Sequence, residues 1–388
     1  MSLLERGFED SEFEMRTLRA QKMMAEHKLD AIFLTTEPNV RYFSGFFTQF
    51  WESPTRPWFL IVPLTGKPIA VIPEIGASGM AATWVDDIHT WASPNPADDG
   101  ISLVADILNT LPRRYGRIGA TLGTESYLRM PFNDFIDLSS RLTGTVFVDI
   151  ATQIHRLRSI KSNAEIKKIR KACEIANIGF ANIPDHARVG QTERDICKQM
   201  RIDMLHAGAD IIKYLISGSG PDGYDSIIMG PTDRQLTKGD VLIIDVGAVY
   251  DGYFSDFDRN FAFGHPSDST LKAYTAVYEA TDAGFKAARP GATTTDVYTA
   301  MWSVMESAGA LGNDVGRLGH GLGIQLTEWP SNTASDNTLL EPGMVITLEP
   351  GMMYAPGKSM VHEENLVITK NGAEYLSVRC PPELTIIE

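Results

Sequence analysis

One stretch, LIIDVGAVYDGYFSDFDRNF, constrains this chain more than any other. Val241 to Val249 is an apolar, β-rich run, and Asp251-Gly252 just after it is a strong hairpin signal. If Tyr250-Asp251 is the loop, Asp245 lies opposite Asp256. If Asp251-Gly252 is the loop, Asp245 lies opposite Asp258 and diagonal to Asp256. Both registers place the three carboxylates on one face. Opposed side chains in a hairpin have Cβ atoms roughly 5 Å apart, and like charges at that spacing destabilise the pair. The neighbours Leu242, Ile243, Ile244, Val246 and Phe257 do not read as a solvent-facing surface. A cation shared between the carboxylates resolves the conflict.

Three more residues join them. His320 lies in GRLGHGLGIQLTEWP, flanked by Gly316, Gly319, Gly321 and Gly323. Glu349 ends the run MVITLE, ahead of the turn Pro350-Gly351. Glu364 sits in MVHEENLVIT, just before another strand-like run. Each alone reads as an ordinary surface or turn residue. Together with Asp245 and Asp256 they read as one dinuclear metal site of four carboxylates and one imidazole. That donor set suits Mn²⁺, Co²⁺, Fe²⁺ or Zn²⁺.

At these residues the chain resembles the pita-bread metallohydrolases, the family of aminopeptidase P, prolidase, methionine aminopeptidase and creatinase. DVGAVYDGYFSDFDR resembles its Asp-bearing hairpin, GHGLGIQLTEWP its Gly-His-Gly segment and TLEPGMMYAPG its Glu-Pro-Gly segment. MVHEENLVIT resembles its last Glu-bearing strand. LRSIKSNAEIKKIRKA resembles the helix that opens the catalytic domain, and MMAEHKLDAIFLTTEPNVRYFSGF the start of the N-terminal domain. The resemblance implies that Asp245 chelates one ion, that Asp256 and Glu364 bridge two, and that His320 and Glu349 complete the second. It makes Glu349 the acceptor of the attacking water's proton. It also implies a homodimer in which the N-terminal domain of one chain helps to wall the site of the other, with the apolar segment Phe46–Trp58 as the expected contact.

The chain departs from that family at several places. Peptidases of the family carry one histidine where this chain has Ile228 and another where it has Thr327. Neither replacement donates a proton at neutral pH. With Glu364 as the bridging residue, His362 stands where prolidase-like members have an arginine, and Asn365 where they have an aspartate. Asp258 stands where a threonine is common. Ile228, Thr327, Asp258 and Trp329 are therefore expected to border the substrate, and His362 to stand in for a missing proton donor.

Length and composition fit this picture. The 388 residues suffice for two domains with full cores, and the net charge of −14 argues against a nucleic-acid partner. No apolar run reaches the roughly 20 residues that span a membrane. The acidic start MSLLERGFEDSEFEMR has no signal-peptide pattern, and Cys173, Cys197 and Cys380 share no metal-type spacing, which together suggest the cytoplasm.

Helices are expected at Met15–Lys28, Ile101–Leu111, Leu271–Ala288 and Thr295–Ala308. A hairpin is expected to turn at Thr65-Gly66-Lys67, and RIGATLG reads as a strand. Ser162 and Glu165 form a capping box, and Thr192 caps another helix. Ile150–Ser159 reads as a passage between domains. The expected architecture is α/β (α+β): a creatinase-like N-terminal domain over 1–155 and a pita-bread catalytic domain over 156–388. The expected activity is a metal-dependent hydrolysis of an amide or peptide C–N bond in a small substrate or short peptide. The alternatives are a non-peptidase hydrolase or lyase acting on a small metabolite and a non-catalytic binding protein, against which the five ligands weigh.

Overall fold

A computed structural model describes residues 6–313 and 316–388. The chain divides into two compact units between Leu157 and Arg158. Ile150–Ser159, read from the sequence as a passage, is largely helical over Ala151–Ser159, and the helix runs through that division. Among the described residues, no helix is long and apolar enough to cross a membrane.

The first unit is built on a six-stranded mixed sheet. Ala31–Leu34 and Phe59–Pro63 are wholly buried and pair antiparallel. The expected hairpin joins Phe59–Pro63 to Ile69–Pro73. Arg117–Ala120 lies parallel on the other side of Ala31–Leu34. The apolar face of Ile101–Thr110 covers the sheet through Ile101, Val104 and Leu108, beside Phe33, Phe59 and Trp91. Burying such a stripe on a sheet is what fixes a helix of this length. The segment after Phe46 is organised by Arg129, whose guanidinium donates to the carbonyls of Phe50, Trp51, Ser53, Thr55 and Arg56. Trp51 and Trp58 pack against each other inside the unit, while Phe47 and Phe50 stay 55% and 40% exposed.

Among the described residues, the second unit has two five-stranded sheets, antiparallel except where Thr385–Ile387 pairs parallel with Phe257–Phe263, a two-stranded hairpin and two pairs of helices. Asn163–His186 starts on the capping box of Ser162 and Glu165, and Glu193–His206 on one formed by Thr192 and Asp195. The strands Ile211–Pro221, Asp240–Tyr250 and Phe257–Phe263 follow in one sheet. The helices Asp268–Ala287 and Thr294–Ser307 come next. The second sheet then runs Glu328–Ser331, His320–Gly321, Val345–Leu348, Glu364–Thr369, Gly372–Tyr375. Val277, Ala280, Met301, Ile346, Leu348 and Leu366 share one apolar core, so the second helix pair and second sheet bury each other.

Candidate metal centre

The strand Asp240–Tyr250 is buried from end to end. It turns through Asp251 and Gly252, with φ of 48° and 82°. Two consecutive positive φ values make the two-residue turn that matches strand twist, and Asp-Gly adopts it cheaply. The turn selects the second of the two registers: Tyr250 pairs with Tyr253, and Asp245 with Asp258. Asp256 is diagonal to Asp245. All three carboxyls are buried and pushed well above the usual carboxylate range. Burial is the main cause; for Asp245 the charges of Asp256 and Glu349 add to it, and for Asp258 the charge of Asp245. Tyr214, on the strand paired with that of Asp245, pulls its carboxyl the other way.

The other sheet supplies the remaining groups. Glycine is needed at 319, where φ is 122° and a Cβ would collide with the Thr347 carbonyl. That approach seats His320, whose backbone N–H donates to Thr347 Oγ1 at 3.2 Å. Its Nδ1 lies 2.9 Å from the Gly321 carbonyl. A carbonyl only accepts, so Nδ1 carries the proton and Nε2 offers a lone pair. Nε2 points at Asp256, 3.3 Å from Oδ2. Glu349 is tied by its N–H to the Leu318 carbonyl at 3.1 Å. Its carboxyl is pushed up to about 7, by burial first and against the pull of His320.

The last glutamate of the site is Glu363. Leu348 pairs with Glu364, so one step further Glu349 stands opposite Glu363. Ligand atoms of Asp256, His320 and Glu363 all lie within 4.8 Å of one another. The Glu363 carboxyl is raised by burial and then by Asp256, Glu349, Asp245 and Asp258, the groups it faces. Glu364 points the other way. Its Oε2 accepts from Arg259 at 3.0 Å and from Ser377, and its Oε1 from the Cys380 N–H at 3.1 Å. Successive side chains of a strand face opposite sides, and a slip of one residue exchanges them. With Glu363 in the site, the flanking positions become Val361, two before, and Glu364, one after.

His362 goes with Glu364. Its Nδ1 lies 2.7 Å from Thr281 Oγ1 and its Nε2 2.8 Å from Cys380 Sγ. Burial, then Arg379 and Arg259, hold its pKa well below the ordinary histidine value. It is a neutral packing residue facing away from the cluster, not a replacement proton donor. Ile228 is 78% exposed. Thr327 is exposed and accepts from Arg317 at 3.3 Å. Trp329 packs against the core, and its carbonyl closes on Gly321. Asp258 lies under the site beside Asp245, not on a substrate-facing rim.

Two supports were not read from the sequence. Asn365 receives the Asp256 N–H on its Oδ1 at 2.9 Å and donates to the Asp256 carbonyl, fixing one sheet to the other. Glu328, paired by register with Gly321, is buried between Arg158 at 2.5 Å and Lys161 at 2.9 Å. Burial alone would raise its carboxyl, but the two cations hold it down at about 2.

The residues fit divalent ions. Asp245 Oδ1, Asp256 Oδ1, Asp258 Oδ1 and Glu363 Oε1 are buried without a hydrogen-bond partner. Unsatisfied carboxylate oxygens of like charge converging in a buried place are costly, and cations are what satisfies them.

Comparison with known proteins agrees. Residues 167–371 match Metallopeptidase family M24, and residues 16–160 the Creatinase/Prolidase N-terminal domain. The chain belongs to metallopeptidase family M24. It is 30% identical over 388 residues, 98% of each chain, to the Probable dipeptidase PepE of Mycobacterium tuberculosis. It is 29% identical to the Uncharacterized peptidase YqhT of Bacillus subtilis, over 96% of this chain and all of that one. Among solved structures, dipeptidase PepE from Mycobacterium ulcerans superposes with a TM-score of 0.85 at 28% identity, covering 98% of this chain and 99% of the other. The prolidase from Pyrococcus furiosus gives 0.79 at 27%, covering 93% and 100%. This M24 member is therefore a metal-dependent hydrolase of the peptidase class with a creatinase-like N-terminal domain. The non-peptidase alternative is not favoured.

Proposed function

We propose that this M24 protein is a dipeptidase working with two divalent ions, held by Asp245, Asp256, His320, Glu349 and Glu363. One observation supports this above others: carboxylate oxygens with no hydrogen-bond partner gather in one buried place with Nε2 of His320. Ions bound there polarise the scissile carbonyl and lower the pKa of the attacking water. The chain's own residues do the rest. Glu349, a buried acid of the same cluster, takes the proton from that water and returns it to the leaving amine. Asn365 holds Asp256 in place.

The substrate is a short peptide. With no histidine at 228 or 327, Xaa-Pro peptides are turned over weakly, because a missing acid or oxyanion donor costs about 10²–10³ in rate. The ions are Mn²⁺, Co²⁺, Zn²⁺ or Fe²⁺. The protein works as a homodimer, with exposed Phe47 and Phe50 at the contact. Its free, buried cysteines suit a reducing cytoplasm.

The test is an assay of dipeptides with the chelated and the Mn²⁺-reloaded protein, wild type and Glu349→Gln, beside metal analysis and light scattering. Two ions per chain and metal-dependent cleavage, abolished in Glu349→Gln, are expected. One ion per chain or metal-independent cleavage overturns the reading. Xaa-Pro cleavage at kcat/KM of roughly 10⁴ M⁻¹s⁻¹ or above overturns the histidine argument.

A further inference from the structure

We infer that Asp258 is an additional carboxylate of the metal centre, acting on the ion beside Asp245. This rests on the metal-centre reading above. Asp258 is only 1% exposed, and its Oδ1 has no hydrogen-bond partner. It sits directly across the ladder from Asp245, so both side chains leave the sheet on the same face a few Å apart.

The second sheet shows what that position does. There the two opposed acids are Glu349 and Glu363, one step beyond the pair Leu348 and Glu364. Gly239 precedes Asp245 by the interval at which Gly343 precedes Glu349. Asp258 thus occupies, in the first sheet, the place that Glu363 occupies in the second. Each sheet thus carries one pair of opposed carboxylates, and Asp256 of the first lies 3.3 Å from His320 of the second.

Charge explains why such a residue matters. A buried acid facing another acid destabilises the metal-free chain, since neither gains a counter-charge. When a cation sits beside Asp245, the same acid adds attraction. Removing it should therefore move two quantities in opposite directions, which a packing role would not do.

The experiment titrates Mn²⁺ into the metal-free full chain by calorimetry, for wild type, Asp258→Asn and Asp258→Thr, with thermal unfolding of each metal-free protein. Both variants should bind Mn²⁺ about 10–100-fold more weakly, the range found when a group supporting a metal ligand is lost. The metal-free Tm of Asp258→Asn should be unchanged or higher. Mn²⁺ affinity within about twofold of wild type in Asp258→Asn overturns the inference. So does a fall of metal-free Tm and affinity together in both variants, which marks a structural residue. Glu363→Gln is the control: if it binds Mn²⁺ like wild type, the metal-centre reading fails, whatever Asp258 does.

Discussion

In the first half of the catalytic unit, Gly190 donates to the Leu236 carbonyl and Thr192 caps a helix with Asp195. In the second half, Gly291 donates to the Leu340 carbonyl and Thr293 caps a helix with Asp296. Leu236 and Leu340 each return a bond to the residue before the cap, Gln191 in one case and Ala292 in the other. Each half then runs through a glycine, Gly239 or Gly343, and six residues later carries an acid, Asp245 within its strand or Glu349 just past its strand's end. The scaffold is the same, but the load differs. The first half returns by a two-residue turn and presents three aspartates. The second returns through an added hairpin, Gly351–Ala355 with Lys358–Val361, and presents two glutamates and His320. One scaffold used twice thus brings unlike donors to one carboxylate cluster. The halves are stitched by Asn365 to Asp256 and by Arg259 to Glu364. Neighbouring residues of one strand have opposite duties: Glu363 faces the carboxylate cluster, while Glu364 and Asn365 secure the first half.

That division of labour can be broken by one pair of variants, with the largest effect expected of any. Glu363→Gln should lose metal and at least about 10³-fold of activity, since a ligand acts directly on the reacting centre. Its metal-free form should stay folded, because a repelling acid has gone. Glu364→Gln removes the partner of a buried guanidinium and should cost about 3–5 kcal/mol of stability, with metal retained in the folded fraction. Urea unfolding and elemental analysis of both proteins check this. If Glu364→Gln is the one that loses metal while folded, the two residues have been assigned to the wrong faces.

Much of this architecture was legible in the sequence. The hairpin signal brought Asp245, Asp256 and Asp258 to one face because turn chemistry and period-2 alternation are local. The caps Ser162 and Thr192 were legible for the same reason. What failed was the choice between Glu363 and Glu364. A one-residue slip in a strand exchanges faces, and nothing local in HEEN says which acid faces in. The pairing of Leu348 with Glu364 decides it, and that contact is distant in sequence. The role given to His362 failed with it, since it shares Glu364's face. Asn365 and Glu328 were missed because their partners, Asp256 and Arg158, are far away along the chain.

A second comparison concerns the loop of His320, which the first half lacks. Glu328 fastens that loop to Arg158 and Lys161. Its folded pKa of about 2 lies below its ordinary 4.5. A depressed acid stabilises the fold above its unfolded pKa, and the contribution is lost as pH falls from about 4.5 through about 2. By linkage it amounts to something on the order of 3 kcal/mol at neutral pH. Glu328→Gln should therefore lower stability at pH 7 by about that amount and flatten the acid limb of the stability profile. Denaturant unfolding at several pH values checks it; a variant with the wild-type acid limb would show that the triad is not what fastens the loop.

The smallest expected effect tests the likeness of the halves. Thr192 and Thr293 each accept from the backbone N–H three residues on, at 3.1 Å and 3.0 Å. Each is answered by the aspartate at that position, Asp195 or Asp296, which accepts from the cap's own N–H. Replacing such a cap by alanine exposes an unsatisfied donor and costs about 1 kcal/mol. Because both are capping boxes of the same kind on half-buried threonines, Thr192→Ala and Thr293→Ala should cost the same within about 0.5 kcal/mol and should add in the double variant. Neither cap touches the carboxylate cluster, so Mn²⁺ affinity should not change. Unequal costs, or a metal affinity that moves with only one of them, would mean that the two helices carry different burdens and that the repeat is one of shape alone.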